Sequence, residues 1–401
     1  MTSSSECSVV LAFHDHGEIP YDRWFDDRQF IYIAHAGNAE SFRGCRATVH
    51  VLADYADTGE LFALVDRLGR HHTITHICAR AERDVIRAGV LRMRLGIAGL
   101  DVDEVCAFRD KHLMYERASA GGVPVAPYAR VTSHAQALEF IARHGRSVVK
   151  PSFGSGSIGV KVVDGARDLH EVFREFGSEE LLIQQFCRGE MHHLDGLWDG
   201  TAVHHLTASR YINTCISFQE GGFLGSAIEA ISADGLDHAH VARRVLGSLK
   251  VVKPLVFHLE IFVDGPRWTF CEVACRPGGV RVVKSAEIAT GINLDRALYA
   301  AELSLPKPSL EGGLSPVFQP AGWLVIPPRR GRVKAIDVPR GHDWIAELRE
   351  SPSLYGLNDA ARKSGDYLLT YIVTGEDTGT VRQRIDMLGR RIVESMVMEQ
   401  D

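Results

Sequence analysis

Ser147-Val148-Val149-Lys150-Pro151-Ser152-Phe153-Gly154-Ser155-Gly156-Ser157-Ile158-Gly159-Val160-Lys161-Val162-Val163 is the stretch on which the fold turns. The β-branched runs at 147–150 and 160–163 predict two strands, and the turn between them holds three glycines and three serines. Such a turn exposes backbone N–H groups and hydroxyls, and it can close over phosphate oxygens with no Cβ in the way. A Walker A loop ends on its lysine and opens a helix, and a Rossmann fingerprint also opens a helix. Here Lys150 precedes the loop and strands flank it on both sides. Neither motif fits. Taken alone, the stretch also reads as a flexible hairpin tip.

A second stretch lies about a hundred residues on. Phe257-His258-Leu259-Glu260-Ile261-Phe262-Val263 alternates, Asp264-Gly265 is a hairpin signal, and Trp268-Thr269-Phe270-Cys271-Glu272-Val273-Ala274-Cys275-Arg276-Pro277-Gly278-Gly279 follows. Alternation places His258, Glu260 and Phe262 on one face, and Phe270, Glu272, Ala274 and Arg276 on one face of the return strand. If Phe262 lies across from Phe270, Glu260 lies across from Glu272. Opposed carboxylates repel unless a cation sits between them. Magnesium suits the place, since it takes one or two carboxylates plus phosphate and water. Two glutamates facing solvent, or paired with arginines, remain the alternative.

The rest of the chain sets bounds. It has 401 residues, 45% hydrophobic and 24% charged, with a net charge of -6. That is ordinary for a globular protein of two to four units. No basic run suggests nucleic acid or anionic lipid. The first residues carry no basic, apolar leader pattern, and no apolar run reaches the ~18 residues of a membrane helix. Eight scattered cysteines without a Cys-x-x-Cys pair suit reduced thiols and a cytoplasmic protein.

Apolar runs at 8–13, 30–34 and 47–52 read as strands, and 58–68 and 82–95 as helices, the latter capped by Gly96. This predicts a parallel α/β unit over the first hundred residues. Residues 103–120 read as one helix, and Ser133 as the N-cap of another with Gln136 as its capping-box partner. The span 147–273 reads as mostly antiparallel strands interrupted by helices near 168–176 and 237–249. Strands near 321–326 and 367–373 and an amphipathic helix near 380–398 follow.

Taken in order, these pieces resemble the ATP-grasp superfamily over most of the chain. Lys150, the glycine loop and Val160 are similar to its mobile phosphate-covering loop, with Ser155, Gly156 and Ser157 toward phosphate. Arg109-Asp110-Lys111 is similar to its R-D-K helix start, whose lysine reaches the α-phosphate. Gly122-Val123-Pro124-Val125-Ala126-Pro127 resembles the link that follows. Leu182-Ile183-Gln184-Gln185-Phe186-Cys187 resembles the hinge that holds adenine, and Glu190 falls at the ribose-binding glutamate. Glu260 and Glu272 fall at the metal carboxylates, and Arg276 at the arginine that stabilises the transferred phosphoryl group. Glu272 to Gly279 is similar to the E-x-A-x-R-x-G-G form frequent among amino-acid ligases and carboxylate–amine ligases. Ala274 and the two hinge glutamines depart from commoner residues in the superfamily, leaving two carboxylates for the metal.

The resemblance implies an α/β and α+β protein in four parts. An N-terminal Rossmann-like unit spans 1–104, and the central or lid part of a two-lobed ATP-grasp core spans 105–187. The catalytic part spans 188–310, and a small C-terminal α+β portion spans 311–401. It implies ATP with Mg2+ or Mn2+, small-molecule carboxylate and amine substrates, no nucleic acid or membrane partner, and a homodimer. Arg276, Lys150 and His258 are the expected catalytic residues. The implied reaction makes an acyl phosphate and then an amide. A purine-type ligase, a biotin-carboxylase-like reaction and a silent nucleotide-binding protein are the alternatives. His192-His193 and His204-His205 flank Asp199-Gly200; a metal site there is the minority reading and ordinary sheet positions the main one, since alternation sends neighbours to opposite faces.

Overall fold

The computed structural model describes residues 6–177, 179–229, 235–303 and 316–399. The expected boundary at 310–311 therefore lies outside the described residues.

The first strands are apolar on both faces because helices cover them. Strands β1 (Glu6–Ala12), β2 (Phe30–His35), β3 (Thr48–Leu52) and β4 (Thr73–Ala79) form a parallel sheet in the order β3-β2-β1-β4. β4 was not expected from the sequence. On one face Val9, Leu11 and Ile31 pack on Leu61, Leu64 and Leu91 of the flanking helices. On the other, Tyr32 and Phe30 pack on Leu294, Leu298 and Tyr299. The helix Val85–Leu95 ends at Gly96, whose φ of 66° is the left-handed cap that glycine takes without a Cβ penalty.

The segment expected as one helix, 103–120, is two: Val102–Arg109 and Lys111–Ala120. Asp110 causes the break. Its carboxylate accepts from His112 N at 2.8 Å and from Leu113 N at 3.3 Å, so it caps the second helix and cannot continue the first. Lys111 is thereby fixed at a helix start. Ser133 caps its helix as expected, but the Gln136 side chain accepts from Thr132 N, not from the capping residue.

Strands β5 (Tyr128–Val131), β6 (Ser147–Pro151), β7 (Lys161–Val163) and β8 (Leu181–Gln185) form a small antiparallel sheet in the order β5-β8-β6-β7. The glycine loop joins β6 to β7. The largest sheet has eight strands, β13-β12-β9-β10-β11-β14-β18-β16. These are β9 (Glu190–Trp198), β10 (Val203–Tyr211), β11 (Leu224–Ile228), β12 (Leu255–Asp264), β13 (Arg267–Ala274), β14 (Ala321–Ile326), β16 (Ile345–Glu350) and β18 (Leu369–Thr374). β15 (Gly331–Ala335), β17 (Leu357–Asn358) and β19 (Val397–Met398) form a three-stranded sheet. The C-terminal helix is Thr378–Ser395, shorter than the expected 380–398 at its end because β19 takes over.

One face of the large sheet buries Leu194, Leu259, Ile261 and Phe270 against Met114, Tyr115, Val241 and Leu246 of two helices. The other face carries the polar side chains of the site. At Gly196 of β9 a Cβ would press on the His205 carbonyl and lie 2.8 Å from Phe257 Cζ. Gly196→Ala is expected to cost about 1–3 kcal/mol through overpacking. Chemical denaturation should show a lower midpoint at unchanged slope.

Candidate active site

The hairpin β12–β13 brings the two carboxylates together. Glu260 pairs across from Glu272, as expected. The aromatic pair does not hold: Phe262 faces Thr269, and Phe270 pairs with Ile261. Cys271 is the reason. It is an extra residue between the two pairings, a β-bulge that reverses the faces of β13 on either side of it. Phe270 is thereby fully buried in the apolar core, while Glu272, Ala274 and Arg276 line the cavity with Cys271.

That cavity has a volume of about 660 Å³ and lies between the two antiparallel sheets. Every residue expected at the site borders it. Lys150, Ser155, Gly156 and Ser157 come from the glycine loop and its strand. Gln184, Gln185, Phe186 and Cys187 come from the hinge, and Glu190 from the start of β9. Lys111, His258, Glu260, Glu272 and Arg276 complete the set.

The lysines are buried and aimed inward. Lys111 Nζ donates to the Gly154 carbonyl at 2.7 Å and lies 3.5 Å from Glu272 Oε1. Lys150 Nζ lies 3.4 Å from the Tyr115 hydroxyl, over that ring. Tyr115 was not singled out in the sequence, yet it joins three parts. Its hydroxyl is 2.7 Å from both Gln184 Oε1 and the carbonyl of the bulged Cys271. Glu190 pairs with Arg210, which also holds Glu229.

Arg276 is held by Glu82, which was read as the first residue of a helix and given no role. Glu82 sits just past the carboxyl end of β4, where open parallel sheets place ligand-binding residues. One of its oxygens accepts from Arg109 Nη1 at 2.6 Å and the other from Arg276 Nε. Burial would raise its pKa, but Arg276 and Arg109 hold it below the usual carboxylate range. Arg109 also donates to the Phe153 carbonyl at 2.9 Å, so the chain of contacts runs from the glycine loop to Arg276.

Glu260 is held by the Tyr211 hydroxyl at 3.0 Å and faced by His258 Nε2 at 3.6 Å. Burial would lower the His258 pKa, but Asp195 and Glu260 raise it to about 10. His193 is more than an ordinary sheet position: it belongs to a buried group with Asp195 and His258 beside this carboxylate. Two hard oxygen donors facing each other within an otherwise cationic cavity fit a magnesium ion.

The ATP-grasp domain family matches residues 108–256. Those residues form an ATP-grasp domain. The chain is 23% identical over 331 residues to an L-arginine-specific L-amino acid ligase of Bacillus subtilis, covering 78% of this chain and 77% of that one. The fold is shared with an L-amino acid ligase from Bacillus licheniformis (TM-score 0.76, 16% identity, both chains covered fully). It is shared too with the ATP complex of carboxyaminoimidazole ribonucleotide synthase from Aspergillus clavatus (TM-score 0.71, 16% identity, 97% of this chain and 98% of that one).

Glu82, Arg109 and Arg276 are largely buried, with side chains 10–17% exposed. Glu82→Ala leaves two arginines without their shared carboxylate, and breaking such a buried group costs about 3–5 kcal/mol. A stability within error of wild type in urea titration would show that the three are not energetically joined.

Proposed function

We propose that this protein is a carboxylate–amine ligase, which makes an acyl phosphate from ATP and a carboxylate and couples it to an amine.

 The observation that carries it is the cross-strand pair Glu260–Glu272 within one cavity with Lys111, Lys150 and Arg276. The likeness to L-amino acid ligases over most of the chain supports the amine as second substrate.

Attack of a carboxylate on the γ-phosphorus brings two anions together, so the site must supply positive charge in fixed positions. In this reading Lys111 and Lys150 bind the phosphates of ATP, the glycine loop covers them, and the hinge at 182–187 holds the adenine. Glu260 and Glu272 would hold magnesium, which neutralises phosphate charge. Arg276, fixed by Glu82, would stabilise the charge that builds on the transferred group. A substrate carboxylate oxygen bonds to the γ-phosphorus as the bond to ADP breaks. The amine nitrogen then attacks the acyl carbon, phosphate leaves, and the amine gives up a proton as the amide forms. The covering loop would exclude water, which otherwise hydrolyses the acyl phosphate.

The test is ADP and phosphate release against a panel of amino acids offered as both carboxylate and amine, with the amide detected by mass. Release that depends on a carboxylate and an amine together is expected. If no pair stimulates release, the ligase reading fails. Arg276→Ala should fold and bind ATP, with turnover reduced by about 10²–10³-fold, the scale for loss of one strong electrostatic donor. Near-normal turnover would remove Arg276 from catalysis.

A further inference from the structure

Asp195 is fully buried in the middle of β9, across from His258 on β12. A carboxylate there is stable only if donors satisfy it. One oxygen lies 2.6 Å from His193 Nδ1 and the other 2.8 Å from His258 Nδ1. An ionised carboxylate only accepts, so both imidazoles must present Nδ1–H to it. This sets the His258 ring with Nε2 toward Glu260 Oε1, at 3.6 Å. Tyr211 donates to that same oxygen at 3.0 Å. One oxygen of Glu260 is thus engaged from two sides, and among the described residues no hydrogen bond is made to the second. The turn after Arg276 makes room for the arrangement: a Cβ on Gly278 would lie 2.7 Å from Asp195 Oδ1 and 2.9 Å from His258 Nδ1.

We propose that Asp195 is a positioning residue, which locks the His258 ring and through it, with Tyr211, the rotamer of the metal-binding carboxylate Glu260. The inference rests on the reading of Glu260 as a magnesium ligand. A glutamate side chain loses rotamer freedom when ordered, on the order of tenfold in affinity if metal binding must do the ordering. A site that orders Glu260 in advance spares metal binding that cost. A buried carboxylate that served only to hold the sheet together would affect stability and leave metal affinity unchanged.

The experiment measures Mn2+ binding by electron paramagnetic resonance, with a non-hydrolysable ATP analogue present, and binding of the analogue alone by calorimetry. Full-length wild type, Glu260→Gln, Asp195→Asn and His258→Gln are compared. Asp195→Asn should weaken Mn2+ binding about tenfold while metal-free analogue binding stays within twofold. His258→Gln should reproduce the effect, and the double variant should be no worse than either single one. Unchanged Mn2+ affinity in Asp195→Asn overturns the proposal. If that variant does not fold, unchanged affinity in His258→Gln overturns it. Unchanged affinity in Glu260→Gln instead refutes the metal-ligand reading itself, so the two failures are told apart.

Discussion

Two negative charges face each other across one hairpin, and much of the molecule is arranged to make that tolerable. Glu260 and Glu272 are opposed on β12 and β13, with side chains only 19% and 27% exposed. Like charges directly opposite on a sheet destabilise it. Histidines offset Glu260, and the cations that share the cavity with the pair come from separate parts of the chain. Lys111 starts a helix, Lys150 ends a strand of the smaller sheet, and Arg276 follows the return strand itself. Bringing these elements to one cavity is what the two antiparallel sheets accomplish.

The bulge at Cys271 resolves a conflict within β13. Strict alternation would keep Phe270 and Glu272 on one face, and would place a large apolar ring in the polar cavity. With one extra residue, Phe270 turns into the core and Glu272 stays in the site. The exposed ladder group this leaves, the Cys271 carbonyl, is taken up by Tyr115. Tyr115 also meets Gln184 and Lys150, so the hairpin, the segment 182–187 and the lysine before the glycine loop share one hydroxyl.

The sequence was most legible where chemistry is local. Gly96 and Asp264-Gly265 reveal a cap and a turn because positive φ and tight turns depend on one or two residues. The glycine loop and the opposed glutamates were visible for the same reason. Bulges are set by packing on both faces at once, so alternation gave the right glutamate pair and the wrong phenylalanine pair. Glu82 was hidden because β4 was not recognised, and without that strand its position at a carboxyl end could not be seen. Asp195 was hidden because its partners, His193 and His258, come together only when β9 pairs with β12. Reading His192-His193 by alternation alone placed the ring on a face but could not say what it met there.

The two carboxylates are not equivalent, and the difference lies in what holds them. Glu260 is gripped by a tyrosine hydroxyl and a histidine that is itself pinned by a buried aspartate. Glu272 pairs with Lys111 at 3.5 Å, and that lysine is shared with the glycine loop through the Gly154 carbonyl. A carboxylate fixed by the sheet can set where a cation sits. One whose partner also bonds the glycine loop is joined to that loop. The hairpin thus carries one carboxylate held by the sheet and one held by way of the loop, and Arg276 is tied to the same loop through Glu82 and Arg109.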